Sequence, residues 1–332
     1  MHCSGYDEGE RALLSRYWFP VARSVDLGEK PLGVTLLDRS LVLWRAGCSI
    51  QAVDDRCCHR GVSFRCGWVE GDELVCAYHG WRFDLQGRCV AVPAHPELCP
   101  PASLRLGTHP CIERYGLLWT SLGDPPEDSL PSFPEASDTA FTCLALDPTS
   151  FEASAGRQLE GFLDVAHFAW IHHQSFAARD RPEVPDYVVE VLADGLRYDY
   201  RSTVPNTTPD QQLSVPQGFL WSRRFEVMLP YTARLTVTFP GGGRLCLLNA
   251  SQPIGPRSCR SFTLLARDFD HDLEEEQVLA FNRQIFAEDK AILDRHDPPF
   301  LPLDPGAERH VPSDRASIAY RQCLRAMGLE RA

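Results

Sequence analysis

Short apolar runs cut by turn residues fill the first third of the chain. They predict strands over 17–22, 33–37, 40–45 and 49–53, with Asp38 and Arg39 turning the chain between the second and third. The meander then breaks into two loops. One carries Cys57, Cys58, His59, Arg60 and Gly61. The other follows a short strand over 73–75 and carries Cys76, Ala77, Tyr78, His79 and Gly80, before Trp81, Arg82 and Phe83 resume the sheet. A closing strand is expected over 115–120. The acidic, proline-rich stretch 123–134 has the composition of a domain boundary.

Beyond it the pattern predicts a strand over 141–146, a helix over 154–172, and strands over 187–192, 196–204, 220–229, 231–239, 244–250 and 260–267. Tight turns such as Ala193-Asp194-Gly195 and Gly241-Gly242-Gly243 make that sheet antiparallel. A long helix is expected over 272–294, with Asp272, Glu274, Glu275 and Glu276 where the helix dipole favours acids, and a shorter one over 314–327. The expected class is therefore α+β: an all-β domain over 1–124, a linker over 125–140, and a domain over 141–332 with helices flanking an antiparallel sheet.

A length of 332 residues suits two domains, and a net charge of -12 argues against nucleic acid or an anionic membrane as partner. No apolar run approaches membrane-spanning length, and Asp7, Glu8 and Glu10 stand where a secretory signal would be basic and then apolar, which points to the cytoplasm. Thirteen scattered cysteines, an odd number, fit reduced thiols or metal ligands better than a disulfide framework.

The two loops narrow that choice. Cys57-x-His59 and Cys76-x-x-His79 are separated by sixteen residues, and each loop supplies one thiolate and one imidazole. Structural zinc normally pairs like with like, so a zinc protein fits poorly. A [2Fe-2S] centre with two cysteines on one iron and two histidines on the other fits the mixed loops. Gly61 and Gly80 would let backbone approach such a cluster and offer it N–H groups, while Cys58, Cys66 and Cys89 are bystanders.

Asp164, His167 and His172 form a second cluster. On an ideal helix Asp164 and His167 share a face, but residues five apart point roughly 140° away from each other. Either the histidines are unrelated residues of a buried helix, or the helix is distorted or ended between them so that both reach one ion. A non-haem iron site needs a third ligand, a carboxylate, and Glu288, Asp289, Asp294 and Asp297 are all placed to supply it.

Cys57-x-His59 with Cys76-x-x-His79-Gly80-Trp81 resembles the cluster motif of the Rieske non-haem iron oxygenases. Asp164-x2-His167-x4-His172 resembles the catalytic-iron motif of the same family, and the run from Phe286 to Leu293 resembles the helix that provides its carboxylate. The likeness is to the compact, homo-oligomeric terminal oxygenases such as vanillate O-demethylase, and it implies a Rieske [2Fe-2S] domain followed by a helix-grip catalytic domain. It implies that Cys57, His59, Cys76 and His79 hold the cluster, and that His167, His172 and Asp289 hold a mononuclear Fe(II). It further implies that O2 is activated there to hydroxylate or demethylate an aromatic acid or natural product. Ala77 in place of a common proline, and Glu160 beside Gly161 where many members carry asparagine, depart from the pattern. In such a family the subunits form a ring, usually a homotrimer, in which Asp164 joins a cluster histidine, by analogy His79, to His167 across an interface.

No strand-GxGxxG-helix nucleotide motif is present, so a separate reductase, with or without a ferredoxin, is expected as electron donor. Expected substrate contacts are Phe162, Trp221, Arg223 and Ile285. Arg223 interrupts the apolar alternation Trp221, Phe225, Val227, Leu229, and its guanidinium needs an anion, from substrate or from a structural salt bridge. A Rieske electron carrier without oxygenase activity is the alternative, but it leaves Asp164, His167, His172 and Asp289 unused.

Overall fold

The apolar runs of the first third pair into three antiparallel sheets. Their strands are β1 (Phe19–Arg23), β2 (Leu32–Leu36), β3 (Arg39–Ala46), β4 (Ser49–Asp54), β5 (Trp68–Glu70), β6 (Glu73–Val75), β7 (Arg82–Phe83), β8 (Cys89–Ala91), β9 (Thr108–His109), β10 (Cys111–Arg114) and β11 (Leu117–Thr120). The sheet orders are β1-β11-β10, β2-β3-β4-β9 and β5-β6-β7-β8. This computed structural model describes residues 5–207 and 215–332, so the first four positions of the N-terminal stretch lie outside the described residues. The chain divides between Leu130 and Pro131, inside the stretch read as linker.

One helix of this unit was not expected. Asp7 caps α1 (Glu8–Leu14), and its side chain and that of Glu10 bond reciprocally to each other's backbone N–H. Two of the three acids that speak against a signal sequence, Asp7 and Glu10, thus form a capping box. The core behind the two Cys/His loops is built from Val42, Trp44, Val53, Phe64, Leu74 and Phe83, and it also buries Cys57 and Cys76.

The second unit holds β12 (Thr142–Ala145), β13 (Thr149–Phe151), α2 (Ala155–Leu163), α3 (Phe168–Ile171), β14 (Val189–Val191), β15 (Gly195–Ser202), β16 (Trp221–Met228), β17 (Thr232–Thr238), β18 (Arg244–Gly255), β19 (Ser258–Arg267), α4 (Glu275–Leu293) and α5 (Arg315–Ala326). The sheet runs β12-β19-β18-β17-β16-β15-β14, with β13 also on β19, and every pairing is antiparallel. Along β16, Trp221, Arg223, Phe225 and Val227 are buried while the residues between them are not, which is the alternation the sequence shows. No helix among the described residues is long and apolar enough to cross a membrane.

The single helix expected over 154–172 is two. α2 ends at Leu163, whose carbonyl accepts the Tyr198 hydroxyl, and Asp164 leaves the helix with φ -71° and ψ 141°. The Asp164 carboxylate then accepts the backbone N–H groups of Ala166 and His167. A short acidic side chain that satisfies nearby backbone donors offers an alternative to continuing the helix. The expected distortion between the histidines is therefore displaced. His167 and His172 are the two caps of the single turn α3, and the break lies outside them.

Candidate metal centres

The two Cys/His loops are built alike. In the first, Gly61 N–H donates to Cys57 O and Cys57 N–H to Val62 O; in the second, Gly80 N–H donates to Cys76 O and Cys76 N–H to Trp81 O. Both glycines have φ near +70°, at +76° and +69°, where a side chain would be strained. Their N–H groups are spent on closing these turns, which corrects the expectation that they face a cluster.

The cysteine side of this site points inward and the histidine side outward, since Cys57 and Cys76 are each only 2% exposed whereas His79 is exposed. The His59 and His79 rings stand 4.6 Å apart, and Trp81 stacks on His59 with centroids 4.3 Å apart. The residues fit a two-iron cluster on the structure's own terms. His59 Nδ1 is buried with no hydrogen-bond partner among the described residues. Burial pushes the Cys57 thiol up to about 12, so a cation must replace the proton if the thiolate is to form there.

In the second unit His167, His172 and Asp289 converge. His167 Nε2 lies 3.1 Å from His172 Nε2, Asp289 Oδ1 lies 3.1 Å from His172 Nε2, and it lies 3.5 Å from His167 Nε2. At a metal–ligand length of about 2.1 Å, adjacent ligands stand about 3 Å apart, so these three atoms have the spacing that one face of a coordination shell needs. The opposite ring nitrogens are both committed to carboxylates: His167 Nδ1 is 3.1 Å from Asp164 Oδ2, and His172 Nδ1 is 2.8 Å from Glu288 Oε2. With Nδ1–H donating in each ring, two Nε2 lone pairs face each other, an arrangement a cation between them relieves.

The carboxylates favour positive charge at this place. Burial opposes a charged His172, yet the hydrogen bonds and charges of Asp289 and Glu288 outweigh it and raise its pKa. Burial likewise works against ionised Asp164, but the bonds from His167 and from the backbone of Ala166 and His167 lower its pKa overall.

Helix packing selects among the four candidate acids. Asn282, Phe286, Asp289 and Leu293 form an i, i+4, i+7, i+11 stripe on α4 that faces inward. Gly161 admits the close approach of α2 to α4, since a Cβ there would sit 3.0 Å from Leu293 Cδ2. Glu288, one residue off the stripe, reaches the far nitrogen of His172, and Asp294 is paired with Lys290.

Arg223, Phe162 and Ile285 wall a cavity together with His167, His172 and Asp289. Trp221 does not. It lines an adjoining cavity with Phe239 and Phe269, which removes it from the immediate surroundings of the triad, because a two-residue step along β16 carries it some 7 Å away. The cavity beside His167, His172 and Asp289 also takes in Asn206, Phe168 and Asn282, none of them expected as wall residues. The stripe on α4 was a signal for Asn282.

Residues 17–112 match the Rieske [2Fe-2S] domain, and residues 151–330, over half of the chain, match the vanillate O-demethylase oxygenase C-terminal domain. The chain belongs to the Rieske non-haem iron oxygenase family. It is 31% identical over 326 residues to the methylxanthine N1-demethylase NdmA of Pseudomonas putida, covering 96% of this chain and 90% of that protein. It is 32% identical over 218 residues to the 5,5'-dehydrodivanillate O-demethylase oxygenase subunit of Sphingobium sp., covering 63% of this chain and 50% of that one. The solved structure of NdmA with caffeine superposes with a TM-score of 0.85 at 31% identity, covering 95% of this chain and 91% of that chain. This Rieske oxygenase is thus an oxygenase α subunit and the terminal component of its system. It carries a [2Fe-2S] cluster and a mononuclear Fe(II), and it oxidises a small organic substrate with O2 and electrons relayed through the cluster.

Proposed function

We propose that Cys57, His59, Cys76 and His79 hold the cluster, that His167, His172 and Asp289 hold the iron, and that the reaction is oxidative demethylation of a small aromatic or heteroaromatic molecule. The observation that carries this reading is the triangle of His167 Nε2, His172 Nε2 and Asp289 Oδ1, with sides of 3.1, 3.1 and 3.5 Å, opening on a cavity walled mainly by phenylalanine, leucine and isoleucine. Relatives that act on N-methyl and O-methyl groups support the choice of demethylation over hydroxylation alone.

When bound, the cluster supplies single electrons and the iron supplies a place for O2 to be reduced. The overall reaction balances as a methyl group, O2, two electrons and two protons going to the demethylated substrate, formaldehyde and water. The chain's own side chains hold the site for this. Asp164 and Glu288 fix both imidazoles with their Nε2 lone pairs inward, and Phe162, Phe168 and Ile285 present apolar surface that keeps water off the reacting methyl group. Asp164, with its side chain 28% exposed, sits at the edge of the site, where it would join His167 to His79 of the partner subunit in a homotrimer.

The electrons come from a separate NAD(P)H-dependent reductase, since this sequence has no nucleotide motif, and the cytoplasm is the compartment that suits such a donor. Anaerobic metal analysis with electron paramagnetic resonance tests the assignment. One reducible [2Fe-2S] signal plus one mononuclear iron per chain is expected. A cluster alone would make the protein an electron carrier, and zinc alone would make it structural.

A further inference from the structure

The cavity walled by His167, His172 and Asp289 has a volume of about 70 Å³, far below the roughly 300–1,000 Å³ of a pocket that encloses a whole organic ligand. The adjoining cavity, which Trp221 lines, has about 680 Å³. Asn206, Leu245 and Asn282 line both, so the two meet. A molecule large enough to be held firmly cannot sit wholly beside the triad. Most of it has to lie in the larger cavity.

Sheet register shows how the pair is laid out. Arg223 stands opposite Val237, Val237 opposite Leu245, and Leu245 opposite Arg267, so one row crosses β16, β17, β18 and β19. Residues directly opposite one another share a face of the sheet. Arg223 lines the triad cavity and Arg267 the larger one, three strand spacings or about 14 Å apart. In the larger cavity Trp221 and Phe239 meet edge to face at 5.0 Å, and Phe269 lies 4.5 Å from Phe239, which gives it an aromatic side.

Arg267 is 3% exposed, whereas Asp270, the other charged residue on this wall, is exposed. Its Nη2 donates to the Leu273 carbonyl at 3.2 Å, and its Nε is buried with no partner among the described residues. The adjacent Asp268 is given to Arg244, at 2.8 Å, and no carboxylate among the described residues pairs with Arg267. A buried donor group short of acceptors is costly, and a ligand oxygen brought to the guanidinium offsets that cost.

We propose that the larger cavity is the second half of the substrate site and that the substrate is an elongated molecule, of two rings or similar length, with its methyl end beside His167, His172 and Asp289 and an acceptor oxygen at its far end on Arg267. This rests on the oxygenase reading above and names the size and polarity of the molecule it acts on. Arg267 is then a binding residue that selects for length, since a one-ring substrate with its methyl group at the triad does not reach it.

The test is isothermal titration calorimetry on the anaerobic holoenzyme with biphenyl-4-carboxamide, biphenyl-4-carboxylate and benzamide as probes. Biphenyl-4-carboxamide is expected to bind roughly thirtyfold more tightly than benzamide, the gain from burying a second ring. Val278→Trp, which fills the larger cavity from α4, should bring that ratio below about threefold. Arg267→Met should weaken both biphenyl probes about tenfold relative to benzamide. A larger loss for the carboxylate identifies an anionic end group, and equal losses a neutral carbonyl. Near-equal binding of one-ring and two-ring probes by the wild-type enzyme overturns the proposal without recourse to any variant. A preference that survives in Val278→Trp, or biphenyl binding unmoved in Arg267→Met, overturns it as well. Iron and cluster content measured on the same samples separate the two readings. With both centres present and no preference for the longer probe, only the elongated-substrate proposal falls. With the centres absent, the oxygenase assignment falls, whatever the ligand preference.

Discussion

Glu288 and Asp289 are neighbours on α4 that take opposite nitrogens of one imidazole: Glu288 Oε2 stands 2.8 Å from His172 Nδ1, and Asp289 Oδ1 stands 3.1 Å from His172 Nε2. Glu288 is itself held, by the Ser175 hydroxyl at 2.8 Å and the Gln284 amide at 3.0 Å. One residue meets the ring nitrogen that faces His167, and the other fixes the ring from behind.

This division predicts different outcomes for the two acids. Asp289→Ala should empty the mononuclear site, whereas Glu288→Ala should weaken iron by roughly 10- to 100-fold, the usual effect of removing a carboxylate behind a ligating histidine. Competition with a chelator, read as iron retained per cluster, checks both. Equal retention in Glu288→Ala and wild type would show that Glu288 does not hold His172.

Asp164→Asn should leave both metal centres loaded, because an asparagine oxygen can still accept the backbone N–H groups of Ala166 and His167. Turnover should fall about a hundredfold or more, with the loss in electron transfer from reduced cluster to iron and not in substrate affinity. Single-turnover oxidation of a pre-reduced cluster measures that step directly, and an unchanged rate would take Asp164 out of the electron path.

Glu160, which stands where many family members carry asparagine, lines a cavity that also reaches Asp164, His167 and Asp289, but its acid group is spent on two arginines. Its carboxylate, 8% exposed, is shared between Arg157 and Arg321, and both arginines also hold Glu308. Glu160→Gln leaves buried guanidinium charge short of its partner and should destabilise the catalytic unit by about 3 kcal/mol. Urea unfolding with iron content measured alongside is the check: a loss of stability with full iron occupancy in the folded fraction marks the role as structural.

Glu308 gives the same network a pH signature. Burial raises its pKa, but the bonds and charges of Arg157 and Arg321 prevail and lower it from 4.5 to about 2. A carboxyl whose folded pKa lies below its unfolded one contributes stability that is fully present above the unfolded value and is lost as pH falls through the folded one. The wild-type protein should therefore lose stability on going from about pH 5 to about pH 3 more steeply than Glu308→Gln. Thermal midpoints of the two proteins across that window, if parallel, would rule out this linkage.

Chemistry carried by close neighbours in the chain is legible in the sequence alone. Cys57, His59, Cys76 and His79 lie on two tight turns whose glycines need positive φ, and such turns are specified by a handful of adjacent residues. The alternation on β16 and the antiparallel order of the second sheet are legible for the same reason, since strand faces and hairpins follow a period of two and local turn signals. The helix break at Asp164 is half visible. The need for an irregularity follows from the five-residue spacing of His167 and His172, but its place depends on Asp164 bonding back to the chain and on Tyr198 taking the Leu163 carbonyl from another strand. The choice of Asp289 over Glu288 as the acid that meets the facing nitrogens of His167 and His172, the pairing of Glu160 with two arginines, and the separation of Trp221 from the cavity of Arg223 come only with the tertiary structure. Adjacent residues on a helix point roughly 100° apart, so which of two neighbouring acids meets an imidazole is set by the rotation at which α4 packs against α2. That rotation is decided by contacts between residues far apart in the chain, such as Gly161 against Leu293.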